Sequence, residues 1–223
     1  MSYDRLSYDV EKGKRRSIMI KKTFLNLPTE KRDRIIREVK REFADHPVDK
    51  ISINRIIQRA KISRGSFYQY FDDKMDLITV VTGEFSNHMY EIIANSMKES
   101  GENVFQLPID MFNGTMEFVQ RGNNFEIYKN LFANIKANGD DLSEYFSCLS
   151  KEKLQELSEI VNRTQKNMDQ KESKALKEIL FLVLRGAIFD VFARGKDIKE
   201  VGESLEMKVN LIKKCVGEEN PNG

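Results

Sequence analysis

Arg64, Ser66, Tyr68 and Gln69 crowd hydrogen-bonding side chains into one short stretch, RGSFYQYF. A guanidinium offers a fork of donors that matches the two acceptors on the edge of guanine, and a carboxamide can pair in the same two-point way with adenine. Interleaved with them are Phe67, Tyr70 and Phe71, which fall on one side of a short helix. A helix of this kind buries its aromatic face and turns its polar face outward. The chemistry on offer is therefore recognition by hydrogen bonds.

Something must hold that helix. Just upstream, Ile53, Ile56, Ile57 and Ala60 recur at i, i+3, i+4 and i+7 and form one apolar helical face. Ser52 precedes them as an N-cap, since its hydroxyl can accept from an otherwise unpaired backbone N–H. Lys61, Ile62 and Ser63 then make a tight turn, with Ser63 as the second cap. Two short helices joined this way, the second with a free polar face, have the layout of a helix-turn-helix. In that motif the second helix enters the major groove of DNA.

At these positions the chain resembles the DNA-binding domain of the TetR/AcrR family of transcriptional regulators. Ser52, Ile56, Ala60, Ile62, Ser63, Gly65, Tyr68, Tyr70, Phe71, Lys74 and Leu77 match the family pattern at fixed spacing. Lys61 stands where the family usually has the turn glycine, and Ile57 where it usually has alanine. The resemblance covers about residues 24–77. It implies that Arg64, Gly65, Ser66, Tyr68 and Gln69 meet base edges or nearby phosphates. Ser52, Asn54, Tyr70 and Lys74 would mainly hold the phosphate backbone, Lys74 from the N-terminal end of the following helix. Phe67 and Phe71 are expected in the core.

Charge agrees with a nucleic-acid partner. The net charge of the 223 residues is only +2, but residues 1–77 carry 19 Lys and Arg against 12 Asp and Glu, and the remainder 18 against 23. Phosphate binding depends on such cations. The longest apolar run, Ile179 to Leu184, ends at Arg185 and is too short to span a bilayer. Two distant cysteines, Cys148 and Cys215, fit a reducing cytoplasm rather than a disulfide framework. His46 and His88 have no second ligand at metal spacing. There is no phosphate-binding glycine loop and no nucleophile elbow, so neither an enzyme nor a cofactor is expected.

The expected architecture is all-α with about nine helices. Residues 1–23 are read as a flexible tail, 24–74 as the DNA-binding domain, 75–217 as a helical effector and dimerisation domain, and 218–223 as a second tail. Thr29 to Asp45 should form a helix that stops at His46-Pro47, because the residue before proline is pushed out of the α region. A long helix should run from Lys74 to about Lys98, two more between Val104 and Lys136, and a polar one from Ser143 to Met168. Between Ser173 and Arg194 one apolar face holds Leu176, Ile179, Leu180, Val183, Leu184, Ala187, Ile188, Val191 and Phe192, and a second side adds Phe181, Leu182 and Phe189. Such a helix must be covered on more than one side.

The family resemblance implies that a second subunit supplies that cover, with Leu180, Val183, Leu184, Ala187, Val191, Leu205 and Val209 at the interface. It also implies a cavity for an unknown small-molecule effector, for which Phe85, Met89, Phe112, Met116, Tyr128 and Phe132 are the candidates. Effector binding would tilt the helix that starts at Lys74 and respace two recognition helices. The expected function is that of a homodimeric repressor released from its operator by the effector. The alternative is a helical adaptor whose helix-turn-helix binds protein, for which affinity for DNA and its salt dependence would be absent.

Overall fold

The structure, a computed structural model, describes residues 21–99, 103–138 and 169–218. Among them the α-helices are α1 (Lys22–Leu25), α2 (Thr29–Asp45), α3 (Ile53–Ala60), α4 (Arg64–Tyr70), α5 (Lys74–Glu99), α6 (Leu107–Val119), α7 (Asn124–Asn138), α8 (Gln170–Arg194) and α9 (Ile198–Glu218), with a 3-10 turn at Val48–Lys50. No strand occurs among the described residues. The helix expected over Ser143–Met168 lies outside them. The chain divides into two compact units. Within the described residues, one holds 21–88 and 119–138, and the other holds 89–99, 103–118 and 169–218.

In the first unit, α2 begins after Pro28 and ends where His46 takes an extended backbone, φ −142° and ψ 141°, ahead of Pro47. Its stripe of Ile35, Ile36, Val39 and Phe43 is buried. It packs on α3 and on α7. The C-terminal carbonyls of α2 have no partners in their own helix. Asn130 of α7 supplies one, its Nδ2 donating to the carbonyls of Phe43 at 2.9 Å and Ala44 at 3.0 Å. Lys40 of α2 meets Glu84 of α5 at 2.6 Å. Tyr128 of α7 lies 4.9 Å from the ring of Phe85, and its hydroxyl donates to the carbonyl of Val81 at 3.4 Å. The compact unit thus reaches beyond the helix-turn-helix to take in α7.

Two of the residues expected in a flexible tail belong to a helix of this unit. Lys22 and Thr23 lie in α1, whose Phe24 is buried against the aromatic side of α4. Four residues are too few for a helical period to show in sequence, and α1 is held by its neighbours rather than by propensity.

In the second unit, α8 opens with a capping box. Asp169 accepts from the N–H of Glu172, and Glu172 accepts from the N–H of Asp169. The helix ends at Gly195, whose φ of 64° is open to glycine at little steric cost. Asp190 then ties the turn together, bridging Arg194 at 2.6 Å and Lys196 at 2.9 Å; these cations hold its carboxyl below the usual range. α8 packs along α9.

The faces of α8 and α9 correct the expected dimer residues. Leu180, Leu184, Ala187 and Val191 are buried within the single chain, as are Leu205 and Val209 of α9, and Val183 is half-buried. The buried ones build the second unit's own core, and Val183 keeps part of its surface open. The exposed apolar residues are Ile179, Phe181 and Leu182 on α8 and Met207 and Leu211 on α9.

Candidate nucleic-acid interface

The recognition element is assembled from short-range signals. The Ser52 hydroxyl accepts from the N–H of Arg55 at 3.4 Å and opens α3. Ile56 and Ala60 face inward and are buried. At the end of α3, Lys61 has φ 52° and ψ 49°, and it is the only positive-φ non-glycine residue among those described. The N–H of Ile62 donates to the carbonyl of Ile57 at 3.2 Å, and that of Lys61 to Gln58 at 3.3 Å. This is a Schellman turn with lysine in the glycine position. Ser63 then caps α4 by accepting from the N–H of Ser66 at 3.0 Å. The turn therefore forms with lysine, at the cost of left-handed strain. Lys61→Gly is expected to stabilise the fold by up to about 1 kcal/mol, the relief of strain outweighing glycine's chain entropy. A thermal melt checks this; an unchanged or lower midpoint would show that Lys61 is not strained.

α4 separates its residues as the pattern requires. Phe67 and Phe71 are buried, with rings 5.2 Å apart, while Arg64, Gly65, Tyr68 and Gln69 are exposed and Ser66 is half-exposed. The guanidinium of Arg64 lies 5.9 Å from the centre of the Tyr68 ring, and Tyr68 is 42% exposed. On α3, Asn54 is exposed. A connected face of donors and acceptors is thus presented from a rigid support.

Three expected phosphate contacts have other work. Tyr70 is only 5% exposed and packs its ring against Phe24 and Phe71, so it is a core residue. The reason is its spacing of three from Phe67, which puts both on one face. Ser52 is half-buried and engaged as a cap. Lys74 donates through Nζ to the carbonyl of Val48 at 3.1 Å and holds the 3-10 turn. The N-terminus of α5 is also furnished with acids. Asp73 accepts from the N–H of Met75 at 2.8 Å, and buried Asp76 accepts from that of Asp72 at 2.6 Å. Burial raises the carboxyl pKa of Asp76, and the charges of Asp73 and Asp72 add to the rise.

Sequence reasoning missed two supports. Glu42 of α2 is fully buried, and its Oε1 accepts from the N–H of Ser52 at 2.9 Å and from Arg55 Nε at 2.9 Å. Its other oxygen accepts from Arg59. On α2 it reads as one more surface acid, because its partners arrive from α3. The second support is α1. Lys21 donates to the carbonyl of Tyr68 at 2.8 Å and meets Asp72 at 2.6 Å, and the hydroxyl of Thr23 donates to the carbonyl of Gln69.

Phe85 and Tyr128 belong to the first unit, where they pack on each other. Met89, Phe112 and Met116 are buried in the second, where Met89 Sδ accepts from the Thr115 hydroxyl at 3.5 Å. The side chain of Phe132 lies outside the described residues. No cluster of His, Cys, Asp and Glu able to hold a metal occurs among the described residues, and none of their helices is long and apolar enough to cross a membrane.

A capped, aromatic-backed helix with a free polar face, joined by a tight turn to a bracing helix, has the geometry of a helix-turn-helix. Residues 35–81 match the family model of bacterial regulatory proteins, tetR family. The similarity to that family takes in α3, α4 and most of α2. Comparison with curated proteins finds no match. Solved structures share the fold. A transcriptional regulator from Aquifex aeolicus VF5 is 22% identical, with a TM-score of 0.51 over 82% of this chain and 99% of that one. The fatty acid degradation regulator FadR from Bacillus halodurans is 16% identical, with a TM-score of 0.56 over 79% and 96%. A TetR-like regulator from Rhodococcus sp. RHA1 is 15% identical, with a TM-score of 0.52 over 82% and 96%.

Proposed function

We propose that the chain is a homodimeric repressor that reads a two-fold operator through α4 and leaves it when a small molecule binds the helical part of the chain in the cytoplasm. The observation that carries DNA reading is the exposed run Arg64, Gly65, Tyr68 and Gln69, backed by buried Phe67 and Phe71. Arg64 and Gln69 pair with base edges, and Ser66, Tyr68 and Asn54 hold the nearby backbone. Lys74 carries three ammonium donors, so it can meet a phosphate while it holds the carbonyl of Val48.

The dimer rests on α8. Ala175, Ile179, Leu182, Gly186, Phe189 and Ala193 follow one another in steps of four and three, the repeat of a helix seam. They lie opposite the face that the chain buries itself, and all are exposed or half-exposed. Met207 and Leu211 add an exposed apolar pair on α9. A second copy would cover this surface, and two copies would set two recognition helices against two half-sites. The effector is proposed to bind near Met89, Phe112 and Met116, whose soft side chains suit an apolar ligand.

Arg64→Ala and Gln69→Ala test the reading. Each is expected to weaken binding to the selected operator by about 1–3 kcal/mol and binding to random duplex far less. Titrations of both duplexes check this; equal losses on the two would remove the pair from base readout.

A further inference from the structure

The last turn of α4 lacks a cap of its own. Phe71, at its end, takes an extended backbone, φ −131° and ψ 142°, and its N–H returns to the carbonyl of Phe67. No glycine or left-handed residue follows to satisfy the next carbonyls, as usually happens at a helix end. Those carbonyls belong to Tyr68 and Gln69, whose side chains face outward. Both are taken by residues that precede α2. Lys21 Nζ donates to the carbonyl of Tyr68 at 2.8 Å, and the Thr23 hydroxyl donates to that of Gln69. The Lys21 ammonium also sits at the negative end of the helix, where a cation is favoured, and pairs with Asp72 at 2.6 Å. Phe24 anchors the arrangement, with its ring 4.8 Å from that of Phe71.

We propose that Lys21 and Thr23 are positioning residues for DNA recognition, which cap the recognition helix from a segment outside the helix-turn-helix and fix the direction in which Tyr68 and Gln69 point. The proposal rests on the reading that α4 meets DNA. Lys21 and Thr23 lie outside residues 35–81, the span shared with the family model. A short helix with free carbonyls frays at its C-terminal end. Fraying here would loosen the residues that carry base readout and leave the buried aromatic face in place.

Thr23→Val keeps the shape and removes the donor. It is expected to lower affinity for the selected operator about tenfold and for random duplex less than twofold, with the salt slope unchanged. Thr23→Ser restores both. Lys21→Met provides a second reading should Thr23→Val fail to fold, and the same loss of preference is expected from it. A residue serving stability alone would lower the melting temperature and leave the operator preference of the folded protein intact. That result, or an equal loss on both duplexes with a flatter salt slope, would overturn the proposal. Failure of the unaltered protein to bind any duplex would instead overturn the DNA reading on which it rests.

Discussion

Glu42→Gln is expected to destabilise the DNA-binding unit by about 3 kcal/mol, the scale of breaking a buried charge pair on one side. The carboxylate is 0% exposed and answers three groups of α3 and its approach: the N–H of Ser52, the guanidinium of Arg55 and that of Arg59. Burial alone pushes this carboxyl up. The Arg55 and Ser52 hydrogen bonds and the charges of Arg55 and Arg59 outweigh burial, so its pKa lies below the ordinary value. An acid whose folded pKa is depressed contributes stability that is present above its unfolded pKa and lost as pH falls through the folded one. The unaltered protein should therefore lose this contribution below about pH 4, and Glu42→Gln should lack that step. Glutamine also turns an amide donor toward two guanidinium donors. Denaturation midpoints of both proteins from pH 7 down to pH 3 check this. Equal stability at neutral pH would mean that α3 is braced elsewhere.

Leu182→Glu is expected to split the dimer while leaving each chain folded. Leu182 is 59% exposed in the single chain, so a carboxylate there remains solvated. Within a helix seam the same carboxylate would be buried without a partner, at a cost of several kcal/mol. Operator affinity should fall by about a hundredfold or more, because the second half-site no longer binds from the same assembly. Sedimentation gives the mass and a thermal melt gives the fold. A folded protein still sedimenting as a dimer would place the interface elsewhere. The contrast with Leu184 matters: it is buried in the chain's own core, and an acid there would unfold the chain rather than divide the pair.

That contrast also marks what a sequence can carry. Local signals were legible: Ser52 and Ser63 as caps, His46-Pro47 as a stop, and Phe67 and Phe71 inside a helix whose other side is polar. Each depends on residues within one or two turns. Phase was not legible on α8, because both of its stripes are apolar and only packing on α9 shows which one the chain uses itself. Glu42 was hidden for a related reason. A lone acid on an amphipathic helix looks solvated until Arg55 and Arg59 are brought onto it. Lys74 and Tyr70 kept their places in the motif, yet Lys74 bonds to a carbonyl and Tyr70 packs inward, since a motif fixes spacing and leaves the direction of a long side chain to its neighbours. Residues 22–25 form a helix too short for any period, and the contacts of Thr23 and Lys21 to α4 come from 46 and 47 positions away.

The most direct measurement is selection of duplex fragments from the source genome by the purified protein, followed by titration of the recovered sequence across salt concentrations. The expected result is a two-fold symmetric site, two chains per duplex, and an affinity that falls steeply and linearly in log–log form as salt rises. No fragment retained at low ionic strength, with or without candidate small molecules, would contradict it.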